Sequence, residues 1–344
     1  MDIDYIISLC QQTVPSWSNV QKESCSLKRL VGNSNTVCVV ETSLDVHPRR
    51  IIYRIFGNGE TLNLQQTSTI FKRLSETGIA PKIYLELEHA RLEEFIDGSR
   101  NLQREEFYQP HIIQLISQKL REFHAQDLCD IVNNEDLVHM SLARKWRDLS
   151  IINLQKYRNS EREEDIKEAI ESLDEKYLDM YRNIQPIGSP EVFAHMDTST
   201  LNFLYVEDAD AIVIIDYDYS GYSYRGYDIA LLLEDVVYDY NYSEWPYYLY
   251  NRDMEASDEI IAQYVKAYGE GPEMFIEVKK CMICTHYFWA VWAFSLYYEN
   301  SPTMDMLKYG LSRFHDFLSR YSEFNEDLSS GALQLTIDKL FSQV

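Results

Sequence analysis

No apolar run in this chain approaches the length needed to cross a membrane as a helix. The opening residues, Met1-Asp-Ile-Asp-Tyr-Ile-Ile7, carry neither a basic segment nor a signal-length apolar core. Stable membrane insertion is therefore not expected, and a cytoplasmic location is. Positive charge is scarce: 32 Lys and Arg stand against 55 Asp and Glu, a net charge of −23 over 344 residues. That balance excludes general binding to nucleic-acid backbones or anionic bilayers. An acidic surface is compatible with a cationic ligand, but more often it only keeps a protein soluble. Cysteines are few and scattered, at 10, 25, 38, 129, 281 and 284. Cys281-Met-Ile-Cys284 has the spacing of half a metal site, yet no second pair exists and the run continues into apolar Tyr287-Phe-Trp-Ala-Val-Trp292. Buried free thiols are the better reading.

Apolar residues make up 45% of the chain, with 26 Tyr and 14 Phe, enough for a globular protein with substantial cores. An amphipathic helix pattern opens the chain and ends near Pro15. Thr36-Val-Cys-Val-Val-Glu41 and Arg50-Ile-Ile-Tyr-Arg-Ile-Phe56 read as strands around a Pro-containing turn. Leu64, Ile70, Phe71 and Leu74 recur at helical spacing, and Ile79–Tyr84 and Arg91–Ile96 alternate like paired strands. From His111 onward helical patterns dominate, at 111–126, 139–157, a highly charged 160–183, 256–269, 273–300 and 303–324. Glu and Lys at helical spacings in 160–176 make a solvated face. Periodicity alone gives a mixed α and β protein.

The chemistry concentrates in His195-Met196-Asp197, Asn202 five residues on, and Asp216 after the apolar Ala211-Ile-Val-Ile-Ile215. H-x-D-x-x-x-x-N followed by a strand carrying an aspartate is a phosphotransferase pattern. It needs an Asp to orient and deprotonate an acceptor hydroxyl, and an Asn and an Asp to hold Mg²⁺ against nucleotide phosphates. A capped turn would explain each residue singly. It does not predict the five-residue step or the Asp that ends the strand. His195 reads as an orienting residue and not as a base.

The segment that follows, Ile215-Asp-Tyr-Asp-Tyr-Ser-Gly-Tyr-Ser-Tyr-Arg-Gly-Tyr-Asp-Ile229, closely resembles the I-D-F-E-Y-x-x-x-N-x-R-G-F-D block of choline and ethanolamine kinases. The resemblance runs from about Leu30 to Phe317, supported by Tyr53-Arg-Ile-Phe-Gly57, Ala80-Pro-Lys-Ile-Tyr84, Arg91-Leu-Glu-Glu-Phe-Ile96 and Leu120-Arg-Glu-Phe-His124. It implies an α+β, bilobal protein-kinase-like fold, with a β-rich nucleotide lobe over 1–96 and a helical lobe over 97–344. It implies ATP and Mg²⁺, a choline or ethanolamine acceptor, and entry into phospholipid synthesis. Members often form a homodimer, but no interface is marked here.

By this resemblance, Gly32, Ser34 and Asn35 belong to a loop over the phosphates, a run otherwise readable as a hairpin turn. Arg54 contacts phosphate, and Glu94 and Ile96 lie in the hinge that reads adenine. In related kinases a helix Glu pairs with the cation at Arg54, yet residues 61–75 contain no Glu, and Gln65 and Gln66 stand there. The family's usual Asn between the catalytic His and Asp is Met196 here. Asp228 is expected to brace the catalytic loop by hydrogen bonds.

A quaternary ammonium donates no hydrogen bonds, so its site needs aromatic faces and nearby negative charge. Eleven tyrosines crowd residues 217–250, and Trp289 and Trp292 lie three apart on an apolar helix, hence on one face. A core helix accounts for two tryptophans equally well. Phe288-Trp-Ala-Val-Trp292 resembles the family's L-W-x-x-W, which turns the reading toward a pocket of Asp218, Tyr219, Glu234, Asp235, Tyr240, Trp289, Trp292 and Tyr309. Asp235 stands where the family has Glu, and Met306 where it has another Tyr. The rival readings are an aminoglycoside-type phosphotransferase and a nucleotide-binding scaffold without catalysis.

Overall fold

A computed structural model describes residues 2–30, 35–57, 63–132, 136–157, 161–298 and 304–342. The chain divides into two compact units, one of residues 1–101 with 203–218, the other of 102–202 with 219–344.

In the first unit, α1 (Ile3–Thr13) precedes β1 (Cys25–Leu30), β2 (Thr36–Thr42) and β3 (Arg50–Ile55). Then come α2 (Leu64–Glu76), β4 (Ile83–Glu86), β5 (Ala90–Glu94) and β6 (Ser99–Asn101). Strands 1 to 5 form an antiparallel sheet in the order β1-β2-β3-β5-β4. Side chains alternate across a strand. Ile51 and Tyr53 of β3 and Leu92 of β5 therefore join Ile6, Ile7, Leu9 and Cys10 of α1 in one apolar core. Arg54, Arg91 and Glu93 fall on the opposite parity. A second, smaller sheet pairs β6 with β8 (Phe203–Val206) and β8 with β9 (Ala211–Ile214). Contiguity in sequence places 203–218 with the helical lobe; strand pairing with β6 places them in the first unit instead.

The second unit contains α3 (Pro110–His124), α4 (Val138–Leu154), α5 (Glu163–Glu171) and α6 (Glu175–Ile184). Next come β7 (Glu191–Ala194) paired with β10 (Gly221–Tyr224), α7 (Gly226–Asp235), and the short pair β11 (Tyr238–Asp239) and β12 (Leu249–Tyr250). The chain ends in α8 (Asp258–Tyr268), α9 (Pro272–Leu296), α10 (Met306–Ser330) and α11 (Ala332–Phe341). Helix α9 is the axis of this unit, packed by α4, α7 and α10. Its residues 281–288 are all buried, as for a helix apolar on every side. Cys281 and Cys284 lie there as buried free thiols, and burial pushes the Cys284 thiol up to about 12. The charged segment expected as one helix is two, because Asp174 caps the N-terminus of α6 by accepting from the Lys176 N–H at 2.9 Å. Helix α11 was not anticipated, although Leu333, Ile337 and Phe341 recur at helical spacing.

Candidate active site

In the first unit, β3 presents Arg54 and β9 leads into Asp216. The Arg54 Nε donates to Glu93 Oε1 at 2.7 Å, and Nη1 lies 3.5 Å from Asp216 Oδ2. Burial opposes the guanidinium charge, but Glu93 and Asp216 outweigh it and raise its pKa. The missing helix Glu is thus answered from a strand. Asp216 adopts φ of 68°, the left-handed region, which re-aims the chain where β9 ends. Asn35 donates from Nδ2 to Asp218 Oδ2 at 2.9 Å and accepts the Gly57 N–H at 3.1 Å. Burial and the neighbouring Asp216 push the Asp218 carboxyl up to about 6. Asp218, expected in the acceptor pocket, is therefore engaged by Asn35 beside Asp216. Gly32 and Ser34 lie outside the described residues. At the segment expected as the hinge, the Glu94 N–H donates to Lys82 O at 2.8 Å, and the Ile96 carbonyl accepts from Ser99 N and Oγ.

In the second unit, β7 ends at Ala194 and the next residues form the loop that carries His195, Asp197 and Asn202. Asp228, fully buried in the first turn of α7, accepts the N–H groups of His195 at 2.7 Å and Met196 at 2.8 Å. The Thr198 hydroxyl donates to the Asp228 carbonyl at 2.6 Å. Although burial opposes its charge, His124 and these backbone donors hold the Asp228 carboxyl below its ordinary range. His124 in turn lies 2.8 Å from the Tyr268 hydroxyl. The brace is strong enough to keep Met196 at φ of 65°, a conformation that suits Asn far better than Met. This accounts for the residue type the family favours there.

His195 is buried, and its Nδ1 accepts the Asp197 N–H at 3.2 Å. That bond places the proton of the neutral ring on Nε2 and leaves no Nδ1 base for the reaction. Asp197 is half-buried. Asn202 donates from Nδ2 to both the carbonyl of Asp197, at 2.8 Å, and its Oδ2, at 3.2 Å. With the amide nitrogen so committed, its oxygen is the atom offered to a hard cation.

The aromatic residues converge. Trp289 and Trp292 meet edge to face at 5.2 Å, Tyr219 lies 6.3 Å from Trp289, and its hydroxyl accepts from Trp292 Nε1 at 3.1 Å. Trp289, Trp292, Tyr240 and Met306 border the buried cluster of Val237, Tyr238, Tyr248, Ala293 and Tyr309. Tyr309 is more deeply committed than expected: its hydroxyl accepts from Arg313 Nε at 3.0 Å. The Arg313 guanidinium lies 4.2 Å over the Tyr238 ring, so that face already holds a cation.

The two acidic candidates on α7 part company. Asp235 Oδ2 accepts from Thr200 N at 2.7 Å and Thr200 Oγ1 at 3.0 Å, and Oδ1 accepts from Tyr240 at 2.8 Å. Glu234 instead faces His286 Nε2 at 3.1 Å and Arg320 Nη1 at 3.8 Å. Adjacent helix positions point about 100° apart, so the two cannot serve one pocket. Burial disfavours the Glu234 charge, but His286, Arg320 and Arg313 outweigh it and hold the carboxyl below its ordinary range. That carboxylate is neutralised internally.

Sequence reasoning missed Trp146. It lies fully buried on α4, stacked on Trp289 at 6.3 Å and edge-on to Tyr219 at 5.4 Å. A lone Trp in a charged helix gave no signal. Glu93 was also missed, though the alternation Arg91-Leu-Glu93 on a strand marked it.

Known proteins agree with this architecture. A choline kinase from Cryptosporidium parvum Iowa II shares the fold with a TM-score of 0.80 and 23% identity, over 97% of this chain and 98% of that one. The ADP-bound aminoglycoside phosphotransferase APH(2'')-Ib has a TM-score of 0.62 at 12% identity, over 93% of this chain and 99% of its own. The protein is thus of the protein-kinase-like fold used by small-molecule phosphotransferases. More narrowly, the family model for choline/ethanolamine kinase matches residues 28–318, and the chain belongs to that family. A human choline/ethanolamine kinase is 24% identical over 348 residues, covering 92% of this chain and 85% of the relative. Among the described residues no helix is long and apolar enough to cross a membrane.

Proposed function

We propose that this protein transfers the γ-phosphoryl group of ATP to the hydroxyl of choline, ethanolamine or both, as the first step toward the corresponding phospholipids. The observation that carries this reading is the braced catalytic loop. Asp228 fixes the backbone at His195 and Met196, and Asn202 ties down Asp197, so that a half-buried carboxylate is presented in one orientation. Asp197 accepts the proton of the acceptor hydroxyl as its oxygen attacks the γ-phosphorus in line. Proton transfer to a positioned carboxylate contributes roughly 10²–10⁴ in rate.

Arg54 meets the phosphates as a fixed cation. No group of three or more His, Cys, Asp or Glu side chains gathers as a metal cage among the described residues. The residues fit an ion that takes one or two carboxylates and completes its shell with phosphate oxygens and water, as Mg²⁺ does. In the first unit Asp216, with Asp218 beside it, is the carboxylate such an ion would take, and in the second the Asn202 amide oxygen is a neutral ligand of the same kind. Bound there, Mg²⁺ would neutralise charge on the phosphates.

Tyr219, Tyr240, Trp289 and Trp292 offer half-buried aromatic faces to the ammonium group, and Tyr309 fixes the wall behind them. Asp235 supplies negative charge. A carboxylate has about four acceptor positions, of which Thr200 and Tyr240 take three, so about one remains for an ammonium donor. Glu234 takes no part.

The test is incubation of the purified protein with ATP, Mg²⁺ and a panel of choline, ethanolamine and an aminoglycoside, with products identified by mass. Phosphocholine or phosphoethanolamine supports the reading. Phosphorylated aminoglycoside alone would replace it with the rival acceptor, and no turnover would favour the scaffold.

A further inference from the structure

We infer that Glu93, a residue of β5, is the positioning residue of the phosphate-binding cation Arg54. It does what a helix carboxylate would otherwise do, so that Arg54 is held by the strand ladder itself. The inference rests on the reading of Arg54 as a phosphate contact and goes beyond it by naming what orients that contact.

The ladder makes the case. β3 and β5 are antiparallel, with Arg54 directly opposite Arg91 and Ile52 opposite Glu93. Two arginines facing each other across a sheet repel. Glu93 is the same-face neighbour of Arg91 two residues along β5, and the diagonal neighbour of Arg54 on β3. It divides its carboxylate between them. Oε1 takes Arg54 Nε at 2.7 Å, and Oε2 takes Arg91 Nη2 at 3.2 Å and Nε at 3.3 Å. All three side chains are buried, Glu93 to 3% exposure, where opposite charges are weakly screened. Arg91 is fixed further by lying 3.5 Å over the Phe71 ring of α2. With Nε held by Glu93, the Nη1 edge of Arg54 is turned to Asp216.

The contrast with α2 sharpens the point. Residues 61–75 carry neither Asp nor Glu, so this helix has no carboxylate to offer Arg54 until its last residue, Glu76. A cation held from a helix can be released when the helix shifts. One held across paired strands keeps its partner's backbone at a fixed spacing, so Arg54 is oriented without a helix having to move into place. Glu93 acts through Arg54 and touches no reacting atom.

The experiment is titration of ADP binding to the full chain, with no amino alcohol present, for the unmodified protein, Arg54→Ala, Glu93→Gln and the double variant. Loss of a charge-assisted bond should weaken ADP about tenfold or more in each single variant. The double variant should be no weaker than Arg54→Ala, because Glu93 has nothing left to orient. Steady-state assays of Glu93→Gln should raise KM for ATP and leave KM for the amino alcohol unchanged. Glu93→Asp, which keeps the charge on a shorter arm, should give an intermediate loss, and it carries the test if the Gln variant does not fold. Normal ADP affinity in Glu93→Gln or Glu93→Asp beside a weakened Arg54→Ala would overturn the inference while leaving Arg54 in place. Independent, multiplying losses in the double variant would also overturn it. Unchanged ADP affinity in Arg54→Ala would remove Arg54 from phosphate binding, and the role of Glu93 with it.

Discussion

The two units hold their polar side chains in different ways. In the first unit, charge holds charge: Arg91 and Glu93 of β5, Arg54 of the paired β3 and Asp216 just past β9 form a row of ion pairs, each within 3.5 Å of the next. In the second, at the loop that carries Asp197, a buried carboxylate holds backbone instead. Asp228 takes two consecutive N–H groups of the catalytic loop and leaves Asp197 to be presented by main-chain geometry. The difference suits the tasks proposed for the two sets of residues. Phosphate is met by fixed charge at fixed spacing, which a sheet ladder supplies. The base proposed at Asp197 is oriented by the loop it stands on and by the Asn202 amide that donates to it.

The largest effect expected from breaking this arrangement is at the base. Asp197→Ala should lower turnover by roughly 10²–10⁴, while ADP titration finds nucleotide affinity unchanged because the charged row of the first unit is intact. Parallel losses in both would mean that the two tasks are not separated as described.

Next comes the brace. Asp228→Asn presents an amide nitrogen to donors that need an acceptor, and it should cost about 3 kcal/mol of stability, read by urea unfolding. An unchanged midpoint would show that the loop is held by something else.

A third prediction uses pH and again concerns the second unit. Burial drives the His139 pKa down to about 3, with its ring stacked on Tyr227 at 4.4 Å. Its folded pKa lies below the unfolded value of about 6.5, so its stabilising contribution is complete above that pH and is lost as pH falls toward 3. At pH 5 the loss is about 2 kcal/mol. Unfolding free energies between pH 7 and 5 should fall by that much more in the unmodified protein than in His139→Phe. Equal slopes would rule out His139 as the source.

The smallest effect is in acceptor choice. Trp289→Ala should raise KM for choline about tenfold, for the ~1.4 kcal/mol of a lost cation–π contact, and raise it less for ethanolamine, whose ammonium can donate to Asp235. Equal penalties would make the tryptophans core residues.

What the sequence disclosed follows the same division. The loop from His195 to Asn202 is contiguous, so its spacing could be read directly, and the strand leading to Asp216 and most of the helices stand where they were expected. Partners remote in sequence were not. Glu93 lies 39 residues from Arg54 and meets it only across the ladder. Trp146 reaches Trp289 only because α4 packs on α9. Glu234 and Asp235 looked interchangeable as neighbours in sequence, and only helix geometry separated one into an internal ion pair and the other toward the catalytic loop.

The central claim is that Asp197 drives phosphoryl transfer to an amino alcohol, and the most direct measurement follows radiolabel from γ-labelled ATP into choline and ethanolamine. The account predicts labelled phosphocholine or phosphoethanolamine with the unmodified protein and essentially none with Asp197→Asn, which keeps the shape of the carboxylate without its basicity. Comparable labelling by the two proteins, or label released only as inorganic phosphate, would contradict it.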